Sequence, residues 1–128
     1  MRNVATLAAF TAILLVGCAA VPIANVSSTP VTTTSSKTLN QEQVRAAIIR
    51  AGVGLGWQIK DENQNILVGT ISLRTHSATV EIPYSSTAYS IKYRSSENLG
   101  EKNGTIHKNY SGWVRNLNRD INAELSKL

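Results

Sequence analysis

Residues 78 to 94 carry their apolar side chains at every second position: Ala78, Val80, Ile82, Tyr84, then Tyr89, Ile91 and Tyr93. That is the period of a β-strand with one buried face. A four-residue loop at Ser85 to Ala88 sets Tyr84 opposite Tyr89, Ile82 opposite Ile91 and Val80 opposite Tyr93, with every apolar residue on one face. Glu81 then meets Lys92 and Thr79 meets Arg94 on the other. A slip of one residue would scramble both faces, so the pattern specifies the hairpin.

The same parity runs upstream. A three-residue loop at Asn63-Gln64-Asn65 places Trp57 and Ile59 opposite Ile71 and Gly69, and Leu73 continues that face. A turn over Arg74 to Ser77 leads on to Ala78. Asn tolerates the left-handed backbone that short loops demand. The expectation is a four-stranded antiparallel meander over residues 57–62, 66–74, 78–84 and 88–94.

Helical patterns flank it. Asn40 and Gln43 have capping-box spacing, and Val44, Ala47, Ile48 and Ala51 share one helix face before Gly52, Gly54 and Gly56 end the run. From about Ser111 to Lys127, Trp113, Leu117, Ile121 and Leu125 form a second stripe. Two one-sided helices and a one-sided sheet bury each other in two layers. The predicted fold class is α+β, a four-stranded antiparallel meander with both helices packed on one face, in the order α-β-β-β-β-α.

The front of the chain belongs to a different kind of segment. Arg2 precedes thirteen residues, Val4 to Val16, without a charged side chain, and small residues surround Cys18, the only cysteine of the 128 residues. A charged start, a short apolar core and small residues at a cut are the layout of an export signal. Such a core is shorter than the roughly 20 residues a bilayer span needs. Leu15-Val16-Gly17-Cys18 resembles the lipobox of bacterial lipoproteins, which implies cleavage between Gly17 and Cys18 and a fatty-acylated Cys18. A lone thiol in an oxidising compartment otherwise invites unwanted pairing. Two or three acyl chains would anchor it permanently, at ~0.8 kcal/mol per buried methylene. Ala19 after the cysteine, by the same resemblance, implies the outer membrane of a Gram-negative cell. A plain cleaved signal with a chance cysteine, and an uncleaved anchor over Val4 to Val26, are the rival readings.

Residues 19–38 hold nine Ser/Thr, two Pro and one charge. Such composition buries too little apolar surface to offset ordering. The expectation is a flexible tether with a reach of roughly 25 Å. The domains are then 1–17 signal peptide, 18–38 lipidated cysteine and linker, and 39–128 globular domain. The connection from Ser95 to Asn109 is long for a compact domain, with Asn103-Gly104 as a turn signal and Leu99 and Ile106 placed to pin it to the core.

Little in the sequence carries catalytic chemistry. His76 falls in a turn and His107 in the loop before the last helix, with no Cys, Asp or Glu at ligand spacing near either. Their expected role is hydrogen bonding to turn backbone, and no metal or cofactor is predicted. No serine sits in a nucleophile elbow. Trp57, Tyr84, Tyr89, Tyr93 and Trp113 lie on inward faces by parity, with Tyr84 and Tyr89 the best placed to reach the surface.

Charge is more local. Residues 39–91 balance four basic against four acidic groups, whereas Lys92, Arg94, Lys102, Lys108, Arg115 and Arg119 face only Glu97 and Glu101 over residues 92–119. Arg115 and Arg119 near a helix start oppose the helix dipole. Beside the reading of a solvated basic face stands that of a surface for an anionic lipid, a glycan or an acidic envelope protein. Nucleic acid is excluded by compartment.

His76 to Tyr84, Tyr89 to Leu99 and Ile106 to Leu117 fit the spaced pattern H-x-A-x-V-x-I-x-Y, Y-S-I-x-Y-x-x-S-x-N-L and I-H-x-N-Y-x-x-W-V-x-N-L. In this it resembles a group of small proteobacterial lipoproteins. The resemblance covers about half the domain and implies lipoprotein biogenesis and this small fold, without naming a site residue. The expected function is a membrane-anchored, non-enzymatic interaction module in the periplasm. The alternative is a small-ligand binder or weak hydrolase using His76, His107 and the tyrosines.

Overall fold

The computed structural model describes residues 19–128. Residues 1–18, where the expected signal peptide, Gly17 and Cys18 fall, lie outside the described residues. Element order is β1 (Ala20–Pro22), β2 (Val26–Pro30), α1 (Gln41–Gly54), β3 (Gln58–Asn63), β4 (Ile66–Leu73), β5 (His76–Pro83), β6 (Ala88–Glu97), β7 (Thr105–His107) and α2 (Lys108–Ser126). Five strands form one antiparallel sheet in the order β2-β6-β5-β4-β3, and β1 and β7 form a small second sheet. The α+β class holds; the strand count does not.

The meander follows the side-chain parity. Ile59 pairs with Gly69, Val80 with Tyr93 and Glu81 with Lys92. Two details differ. Thr79 pairs with Ser95, because a bulge between Thr79 and Val80 takes Arg94 out of the ladder. Such an insertion bends the strand while the alternation on either side survives. The turn between β4 and β5 is also tighter than four residues: Leu73 pairs with His76, and Arg74 takes a positive φ of 58°.

The fifth strand comes from the segment expected to be a tether, and this corrects the linker reading. The chain from Ala19 to Thr38 straps the domain from end to end. Ala20 to Pro22 pair with His107 to Thr105. The Ile23 N–H donates to the Gly104 carbonyl at 2.8 Å, and the Tyr93 N–H donates to Asn25 Oδ1 at 2.9 Å. Val26, Thr29 and Pro30 then pair with Ile91, Tyr89 and Ala88. The Thr34 hydroxyl donates to the Ser126 carbonyl at 2.6 Å, at the far end of α2. Composition misses this because the ordering comes from backbone pairing with the free edge of β6, together with three spaced anchors. Ile23, Val26 and Val31 pack on the core, Thr29 is half-buried, and Ser27 and Ser28 face water.

Helix α1 opens with the expected capping box between Asn40 and Gln43 and buries Val44, Ala47, Ile48 and Ala51. Gly52 does not end it. It lies inside the helix, where a Cβ would come 2.7 Å from Ile59 Cδ1, so the missing side chain lets α1 approach β3. Helix α2 begins three residues before the expected Ser111, with His107 as its N-cap. The early start brings Tyr110 into the core, edge-on to Tyr93 with ring centroids 5.4 Å apart. It also makes Tyr110, Val114, Leu117, Ile121 and Leu125 the buried stripe, leaving Trp113 half-buried at its margin. The core is continuous from Ile48 through Leu67, Val80 and Ile91 to Leu117 and Ile121.

Candidate functional site

Both histidines meet one corner of the fold, the bend at Asn98 and Leu99 after β6. His76 Nδ1–H donates to the Asn98 carbonyl at 2.7 Å, and Asn98 Nδ2 donates to the Thr75 carbonyl at 2.6 Å. The backbone N–H of His107 donates to the Leu99 carbonyl at 2.9 Å. His107 Nδ1 accepts from the Asn109 N–H at 3.1 Å, capping α2. The two rings are therefore in opposite tautomers: His76 carries its proton on Nδ1, and neutral His107 carries it on Nε2. Each uses Nδ1 to hold backbone. No group of three His, Cys, Asp or Glu side chains among the described residues is placed to hold a metal ion.

The same corner contains the first described residue. The Ala19 carbonyl accepts from the Lys108 N–H at 2.8 Å. Ala19, Ala20, Leu99, Gly100, Lys102 and His107 border a groove of about 450 Å³. Leu99 and Ile106 are buried beneath it, as the sequence suggests, and Asn103-Gly104 closes a two-residue turn with both residues at positive φ. Lys102 and Lys108 are exposed around it, as is the acidic neighbour Glu101.

The six cations grouped by sequence do not form one surface. Lys92 and Arg94 lie on the sheet face opposite the helices, where Arg94 bridges Glu62 at 2.6 Å and Glu81 at 3.7 Å. Arg119 is paired with Asp120 at 2.9 Å. Arg115 stands exposed on α2, two turns beyond its start because the helix begins at Lys108, so the expected conflict with the dipole does not arise. Lys102 and Lys108 share the Ala19 corner, apart from Lys92 and Arg94 on the sheet face.

The tyrosines are structural in their contacts. Tyr89 is buried, its hydroxyl 2.6 Å from Asn118 Oδ1 and 2.9 Å from Asn122 Oδ1 on α2. The single phenol proton lies between these two amide oxygens, both of which accept from it. Burial pushes the Tyr89 phenol up to about 12 against the pull of its hydrogen bonds. Tyr110 is raised further, by burial and then by Tyr93, and its hydroxyl has no hydrogen-bond partner among the described residues. Tyr84 is half-buried at the Arg45–Asp61 pair, where burial raises its phenol too. Sequence parity finds Tyr89 but not its amide partners, because Asn118 and Asn122 look like solvent-side residues of α2.

No family model, curated protein or solved structure matches this chain.

Proposed function

We propose that the chain is a lipid-anchored lipoprotein of the Gram-negative outer membrane, acylated at Cys18 after cleavage at Gly17, whose domain is a non-enzymatic interaction module on the periplasmic side. Two observations support the reading. Leu15-Val16-Gly17-Cys18 follows a short uncharged run behind Arg2, and the described fold reaches back to Ala19, the residue directly after that cysteine. The first carries it, because a lone thiol in an oxidising compartment otherwise invites unwanted pairing, and acylation removes it.

Cys18→Ser tests the anchor. The variant is expected to keep its leader and carry no acyl mass while keeping its fold by circular dichroism; a variant still cut at residue 17 and still held in the membrane contradicts the proposal. The partner is an envelope protein, an anionic lipid or a glycan, and crosslinking in whole cells should recover a specific one. Recovery of nothing specific contradicts the interaction role.

The second reading, a small-ligand site or weak hydrolase at His76 and His107, draws on their meeting at the Asn98–Leu99 bend. His76→Gln together with His107→Asn would then abolish function in a folded protein. A loss of stability alone contradicts it.

A further inference from the structure

The acylated cysteine of the proposed lipoprotein would have almost no free chain between itself and the fold. Ala19 is hydrogen-bonded to Lys108, Ala20 to Pro22 are paired with β7, and Ile23 is bonded to Gly104. Successive Cα atoms are about 3.8 Å apart, whereas the headgroup layer on each side of the hydrocarbon is about 5–7 Å deep. A domain joined at Ala19 cannot rise clear of that layer.

We infer that the corner formed by β1, β7 and the Asn98–Thr105 loop is a fixed membrane-facing surface, held among anionic phospholipid headgroups; the inference rests on acylation of Cys18. The surface suits that occupant. Lys102 and Lys108 flank Ala19 and are exposed, and the groove between Leu99, Gly100 and Lys102 opens beside the anchor point. The acidic side chains beside it are Glu101 and, at the end of β6, Glu97, while Arg74 in the turn tied to Asn98 adds a third exposed cation, so basic groups exceed acidic ones by one. Lys127 and Glu124 pair at the opposite end of α2, 2.9 Å apart.

The orientation follows from the topology. β5 runs from His76, tied to the Asn98 bend, to Pro83 beside the Asn65 turn, and its eight residues span about 24 Å. Gln64 in that turn is therefore on the side away from the bilayer, together with the C-terminal end of α2, where Thr34 is tied to Ser126. A surface available to a periplasmic partner would lie at this end and on the polar sheet face.

Acylation leaves no free thiol in a chain with one cysteine, so a nitroxide can be placed at a single chosen site. The exposed residues are replaced one at a time, Glu101→Cys near the anchor and Gln64→Cys far from it. Each lipidated protein is extracted from membranes and reconstituted into vesicles of phosphatidylethanolamine and phosphatidylglycerol. The expected result is a severalfold higher ratio of oxygen to aqueous nickel accessibility at position 101 than at position 64. Equal, fully aqueous accessibility at both positions in protein whose mass shows acylation overturns the fixed surface alone. A mass without acyl chains overturns the anchor, and this inference with it.

Discussion

Gly52 of α1 and Ile59 of β3 meet so closely that a Cβ on the glycine would lie 2.7 Å from Ile59 Cδ1 and 2.8 Å from Cγ1. Helical propensity favours Ala over Gly by about 1 kcal/mol, but overpacking costs about 1–3 kcal/mol. Gly52→Ala should therefore destabilise the domain by about 1 kcal/mol in denaturant melts. Ile59→Val removes Cδ1, so the double variant should be more stable than the sum of the single effects predicts. A Gly52→Ala protein as stable as the parent would contradict the contact.

Tyr89 and Tyr110 are both buried, yet their hydroxyls should respond oppositely. Tyr89→Phe removes the bonds to Asn118 and Asn122, whose amides reach water, and should cost about 0.5–1.5 kcal/mol. Tyr110→Phe removes a buried hydroxyl without a partner among the described residues, and should leave stability unchanged or raise it by up to about 1 kcal/mol. Thermal melts of the two variants side by side decide this; equal losses would contradict it.

The pH profile follows from the direction of each shift. Tyr89 is raised from 10 to about 12, so its neutral form is favoured in the fold; that stability is complete below pH 10 and is lost as pH rises to about 12. Glu124 is held below its ordinary 4.5 by Lys127 and then Arg50, and Asp61 below 3.8 by Arg45. Their contribution is present above the ordinary carboxylate range and lost as pH falls through it. Melting temperature should fall on both limbs. Tyr89→Phe should flatten the alkaline limb and Glu124→Gln the acid one, while an unchanged profile in either variant would contradict the assignment.

The strap over residues 19–38 makes a prediction that a flexible tether does not. The amides of Ile23 and Val31 donate to Gly104 and Thr87, each at 2.8 Å. Their exchange with deuterium should be slowed about tenfold or more relative to free chain. Exchange at free-chain rates would return the segment to a leash.

The sheet register was legible where side chains alternate across two faces, as at Ile59 with Gly69 and Val80 with Tyr93. It failed at Thr79, because the bulge that frees Arg94 is a backbone event, and the Arg94 side chain explains it only once Glu62 and Glu81 are seen beside it. The strap was hidden for a related reason. Hydropathy counts side chains, whereas Val26 to Pro30 are ordered largely by the unpaired edge of β6, which lies far away in sequence. Both histidines read correctly as backbone holders. Their convergence on Asn98 and Leu99, and the separation of Lys92 and Arg94 from Lys102 and Lys108, depend on topology and could not be read from spacing.

The central claim is that Cys18 carries the lipid that holds the Ala19 corner at a membrane. Intact mass of the protein extracted from cell membranes tests it most directly. The account predicts a chain beginning at Cys18 with the added mass of a diacylglyceryl group. An unmodified chain beginning at Met1, or a mature form without acyl mass, would contradict it.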